Sequence, residues 1–247
     1  MIQPKKTLNL DPCDPGYFLA RTVRFGGDQP NGKWWNLAEL FGIPNGSDVE
    51  RAAFLHLVHG RSPDGRRVLA DVAPQDCVEL VFRADPTVAQ LWACLETERR
   101  VIVEHCQMLA VAQALQATEW QHCAYQNPFY SRFLPTPADL IGVLFQHTHS
   151  DPEPDIHTHC LILGVTHARI AKTWGPLHRE TFSEQLAYGT TVYQQLLMRA
   201  LRRRLQLESE PYQCDATGTH YRLVGDPCTW WLYCGDPHAT HPEARPL

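Results

Sequence analysis

Apolar positions along this chain change period from segment to segment, and the changes mark out its elements. From Thr87 to Gln116 they recur at helical spacing with no glycine, and Pro86 stands just ahead, so the pattern predicts one long helix. Glu184 to Leu207 repeats the pattern and ends in Arg202, Arg203 and Arg204, where a helix C-terminus favours cations. Cys77–Phe82, Leu140–Phe145 and His157–Thr166 are instead short runs rich in Val, Ile, Leu and Phe, which predict strands, and Tyr221–Val224 predicts a further short one. Proline and glycine punctuation falls at 26–32, 62–65, 127–137 and from 225 onward. Strands interrupted by long helices, with few short βαβ units, predict an α+β fold whose sheet is covered on one side.

Composition narrows the picture. A chain of 247 residues fits one large domain with a modest appendage, so residues 1–225 are expected to form the domain and 226–247 a tail. No apolar run approaches the length of a bilayer span, and the two lysines near the N-terminus have no hydrophobic segment behind them. The expectation is a cytoplasmic protein without membrane insertion. Nine cysteines at irregular spacing then read as reduced, largely buried thiols. Toward the C-terminus, Cys214, His220, Cys228, Cys234 and His238 match no C-x-x-C arrangement for structural zinc. The net charge of −5 confines any phosphate-binding surface to a local patch.

The histidines carry the chemistry. On a strand, His157 and His159 point to the same face while Thr158 turns away, so two imidazoles converge. His147 ends the preceding predicted strand ten residues earlier, far enough for a loop that sets the two strands side by side. Three imidazoles meeting one cation leave positions open for water or substrate, the pattern of a catalytic rather than a structural metal. Spacing alone leaves His149 as an alternative to His147.

Phe145-x-His147 followed by Asp155-Ile156-His157-Thr158-His159-Cys160-Leu161-Ile162 resembles the three-histidine signature of the MobF-class conjugative relaxases, the TrwC/TraI type within the HUH endonucleases. Gly16-Tyr17-Phe18 and the element from Gly32 to Gly42 are similar to the family's tyrosine motif and the segment after it. Val78 to Val88 resembles its next strand and helix start, and Thr173 to Leu177 follows the histidines as in family members. The resemblance covers roughly residues 15 to 225 and implies a central antiparallel sheet with helices covering one side.

It also implies an activity: nicking and rejoining of single-stranded DNA through a 5′-phosphotyrosyl intermediate. On it, Tyr17 is the nucleophile, Glu79 the carboxylate that orients a ligand imidazole or takes the phenolic proton, and His147, His157 and His159 the ligands. A phenol with a pKa near 10 needs such help at neutral pH. The cofactor expected is a divalent ion, Mg²⁺ or Mn²⁺, with Zn²⁺ as an alternative. The expected partner is single-stranded DNA at an origin of transfer, contacted by Lys33, Trp34, Trp174 and Arg202. No G-x-x-x-x-G-K-[ST] occurs, so a separate helicase or accessory protein is expected to part the strands.

Departures from the family pattern are specific. Phe18 stands for a second tyrosine, Arg24-Phe25 where a further pair would fall, Pro86 for a lysine and Glu79 for an aspartate, and the His147 to His157 interval is one residue shorter. They keep two other readings open: a relaxase-derived DNA-binding protein without catalysis, and an unrelated three-histidine metalloenzyme.

Overall fold

The computed structural model describes residues 2–4, 32–122, 124–126, 133–150, 153–177 and 185–225. In chain order its strands are β1 (Ile2–Pro4), β2 (Lys33–Trp35), β3 (Val78–Arg83), β4 (Ala124–Gln126), β5 (Phe133–Pro135), β6 (Ala138–Asp139), β7 (Gly142–His149), β8 (Asp155–Ile162), β9 (Val165–Ala168), β10 (Thr173–Pro176), β11 (Ser209–Asp215) and β12 (Gly218–Leu223). Its helices are α1 (Ala38–Phe41), α2 (Arg51–Val58), α3 (Pro86–Cys94), α4 (Thr97–His122) and α5 (Leu186–Leu205).

The central sheet runs β1-β3-β8-β7-β2, antiparallel at every pairing. Side-chain alternation gives each face its own core. Leu80, Phe82, Leu144, Ile156 and Cys160 turn to one face and pack with residues of α3, α4 and α5, among them Val88, Val103, Ala110, Tyr193 and Leu197. Trp34, Val143, Phe145 and Leu161 turn to the other and meet Phe54 and Leu57 of α2. The long helices therefore lie on one side, as the α+β reading requires, and among the described residues the second face is roofed in part, by α1, α2 and their loops. Each fully buried Leu or Phe in these layers stabilises the fold by about 1.5–3 kcal/mol. A smaller sheet, β10-β9-β6, and the β11-β12 hairpin complete the described architecture with the β4-β5 pair.

Two elements differ from the sequence pattern. The single helix expected over Thr87–Gln116 is broken at Leu95, whose backbone is extended (φ −79°, ψ 152°). Neither glycine nor proline stands there. Tertiary contacts make the break: Leu95 is buried, and Arg100 donates from Nε to the Leu95 carbonyl and from Nη2 to the Ala93 carbonyl, both at 2.8 Å. The strand expected over His157–Thr166 is likewise two, β8 and β9, in different sheets. At the corner Gly164 lies against Asp76, where an added Cβ would sit 2.8 Å from the Asp76 Cβ. β7 runs past the apolar stretch to His149, so both candidate third ligands stand on the strand. Among the described residues no helix is long and apolar enough to cross a membrane. Cys77, Cys94, Cys106, Cys160 and Cys214 are free thiols, in keeping with the reading of reduced cysteines.

Candidate metal centre

β7 and β8 pair so that His147 stands directly opposite His157, with His159 two residues further along β8. The three share strand parity with Val143, Phe145 and Leu161, which places their rings on the partly roofed face. Ring centroids are 5.4 Å apart for His147–His157, 4.9 Å for His147–His159 and 5.0 Å for His157–His159. One ligand atom from each lies within 4.8 Å of the others. His149 is exposed, with its ring 6.5 Å from that of His157, and stands outside this group. Thr158 and Cys160 have the opposite parity and turn to the helical layer. Burial, with the Glu79 charge adding to it, pushes the Cys160 thiol well above its ordinary range, so this cysteine is a packing residue.

A carboxylate orients one of the rings, and a second carboxylate lies against another. Glu79, on β3 and 3% exposed, accepts from His159 Nδ1 through Oε1. Because an ionised carboxylate can only accept, Nδ1 is the donor in this bond and Nε2 is the nitrogen left for a ligand. Asp155 Oδ2 lies 2.8 Å from His157 Nδ1, close but out of line with the ring N–H, and also pairs with Arg83 Nη1. Burial lowers the affinity of His157 for a proton, against the opposing pull of Asp155, and the net direction is down. Burial would raise the Asp155 carboxyl, but the close approach and charge of His157, then Arg83, hold it below its usual value. Imidazole nitrogens are donors that a divalent metal takes, and three rings gathered this closely fit an ion that keeps open positions.

The remaining sequence candidates fall in different places. Tyr17 lies outside the described residues. Trp34 is 2% exposed and packs against Phe54, ring centroids 6.5 Å apart. That corrects its assignment as a base-stacking residue, because both ring faces are covered by the core. Trp174 is half-buried, stacked on Phe41 at 5.2 Å and near His167 at 4.9 Å. Lys33 pairs with Asp48 at 2.7 Å. Arg202 pairs with Glu208 at 3.1 Å at the end of α5, the helix packed behind the sheet on the face away from the imidazoles. The contacts of Asp155 and Arg83 were not drawn from the sequence. Asp155 was legible in principle, since it precedes His157 by two residues and so shares its face.

An antiparallel sheet backed by long helices, with three imidazoles gathered on its opposite face, defines a sheet-borne three-histidine centre. The chain belongs to the TrwC relaxase family, which matches residues 7–222. It is 25% identical over 202 residues to the multifunctional conjugation protein TraI of Escherichia coli strain K12, covering 74% of this chain and 10% of that protein. A second Escherichia coli TraI is 27% identical over 195 residues, again 74% of this chain and 10% of the relative. The chain thus spans about a tenth of these curated relatives. Among solved structures, conjugative relaxase TrwC in complex with oriT DNA, metal-bound, superposes with a TM-score of 0.67 at 22% identity, over 91% of this chain and 75% of that one. A copper-bound TrwC complex gives 0.68 at 21%, over 91% and 76%. TrwC with a 27-mer DNA comprising the recognition hairpin and cleavage site gives 0.67 at 21%, over 98% and 87%.

Proposed function

We propose that this chain cleaves and rejoins single-stranded DNA at a specific site in a metal-dependent transesterification. One observation carries the reading above the others: three imidazoles with ligand atoms within 4.8 Å of one another, on the sheet of a chain that belongs to the TrwC relaxase family. The Tyr17 hydroxyl attacks the scissile phosphorus; a P–Oη bond forms and the P–O3′ bond breaks. The products are a 5′-phosphotyrosyl adduct and a strand ending in a 3′-hydroxyl, which takes up a proton as the phenol releases one. Energy is conserved in the phosphodiester, so the reverse attack by a 3′-hydroxyl rejoins the strand.

His147, His157 and His159 would hold a divalent ion, which when bound offsets the charge developing on the non-bridging phosphate oxygens. An all-imidazole donor set favours Mn²⁺, Zn²⁺ or Cu²⁺ over Mg²⁺ in affinity. Glu79, buried and engaged with His159, serves as a positioning residue in this scheme. DNA at an origin of transfer is the substrate, as in the solved TrwC complexes with oriT DNA, and a helicase activity separates the strands. Lys33, Trp174 and Arg202 remain its candidate DNA contacts.

The test is incubation of the purified chain with Mn²⁺ and a random single-stranded DNA library, followed by a denaturing gel. A protein–DNA adduct is expected, absent with EDTA, with Tyr17→Phe and with His159→Ala. DNA binding without an adduct under any metal would overturn the catalytic reading in favour of a non-catalytic DNA-binding protein.

A further inference from the structure

One carboxylate beside the centre, Asp155, has no task in that scheme. Asp155 and His157 are each 13% exposed at the side chain, and Asp155 Oδ2 lies 2.8 Å from His157 Nδ1. Arg83 stands directly opposite His157 on β3, and its Nη1 holds the same Asp155 oxygen. Both neighbours of this strand fix the arrangement: Asp155 is paired across to His149, and His157 to His147 on one side and Arg83 on the other. The pairing holds the backbone of both residues, and Arg83 holds the carboxylate itself. His159 has its own carboxylate in Glu79, four residues before Arg83 on the same face of β3. Each imidazole of the His-x-His pair thus meets one acid, the first from its own strand and the second from the neighbouring one.

We propose that Asp155 and Arg83 together form the positioning unit of His157. Asp155, 2.8 Å from Nδ1, holds that edge of the ring by its charge and leaves Nε2 for the centre, where a small turn of the ring would complete the hydrogen bond; Arg83 holds Asp155 in the outer sphere. An ionised carboxylate this close to a dication would otherwise compete to become a ligand, and the guanidinium gives it a fixed alternative. The three-nitrogen donor set is then kept, and the open positions remain for the substrate. The proposal rests on the metal-centre reading above.

Co²⁺ titration of the full chain, followed by calorimetry and visible absorption, tests it, because the intensity of the d–d bands reports coordination number. Asp155→Ala is expected to weaken Co²⁺ binding by about 10- to 100-fold, the usual cost of removing an outer-sphere partner of a ligand histidine. Asp155→Asn, which keeps an acceptor for Nδ1–H and carries the test should the alanine variant not fold, loses less. Arg83→Met retains most of the affinity but weakens the bands, as Asp155 enters the coordination sphere. Wild-type affinity and spectrum in both Asp155 variants would overturn the proposal while leaving the metal centre standing; an unchanged spectrum in Arg83→Met would overturn the part assigned to Arg83. A wild-type chain that binds no Co²⁺ would overturn the metal centre itself.

Discussion

At the scale of the residue, each oriented imidazole is defined by what its Nδ1 touches: Glu79 for His159 and Asp155 for His157. This environment has a pH signature in the metal-free protein. His157 binds a proton less readily folded than unfolded. Below its ordinary pKa of about 6.5 the unfolded chain is protonated while the folded one is not, so stability falls as the pH drops from there toward the lower folded value. Asp155 has the lowered carboxyl, so its contribution is present above its ordinary value and is lost only at more acid pH, through its folded value. Urea unfolding of chelated protein between pH 7 and 5 is expected to show the His157 loss, with a smaller slope in His157→Gln. The His-x-His pair was readable because strand alternation puts both rings on one face. The Glu79–His159 contact was not readable from pattern, since its partners lie 80 positions apart and meet only through the register of β3 on β8. Trp34 shows the converse failure: residue type suggested a stacking surface, and burial decided otherwise.

Elements were legible where period and length agreed and lost their ends where tertiary contacts rule. The break between α3 and α4 has no local signal; Arg100 makes it by binding two carbonyls while its guanidinium lies 4.9 Å from the Trp92 ring. Arg100→Ala should cost about 1–3 kcal/mol in urea unfolding, because hydrogen bonds from a charged donor are lost and the carbonyls are left half-buried. The corner at Gly164 is the second case. Its crossing over Asp76 leaves no room for a methyl group, so Gly164→Ala is expected to cost about 1–3 kcal/mol, read as a lowered urea midpoint with unchanged slope. Because this corner follows β8 directly, the variant also tests how firmly the strand bearing His157 and His159 is anchored.

At the scale of the whole molecule, a metal held at this centre would couple the sheet to the charge of the chain. Strands β7 and β8 are consecutive and antiparallel, and an ion held by His147, His157 and His159 would tie their pairing together in the folded state. Metal at a hundredfold excess over its Kd should therefore stabilise the fold by about 2.7 kcal/mol, seen as a raised Tm that EDTA reverses and His147→Ala abolishes. With a net charge of −5, DNA binding is expected to use few phosphate contacts. Its salt dependence should be shallow, since each contact contributes only about −0.7 to the slope of log K against log salt on a single strand. The central claim is that a tyrosine near the N-terminus does the chemistry that the histidine centre supports. Its most direct test is to trap the covalent adduct formed with single-stranded DNA and Mn²⁺, digest protein and DNA, and map the nucleotide-bearing peptide by mass spectrometry. A 5′-phosphonucleotide on Tyr17 is the predicted result; a nucleotide on any other residue, or an adduct that forms equally in EDTA, would contradict the account.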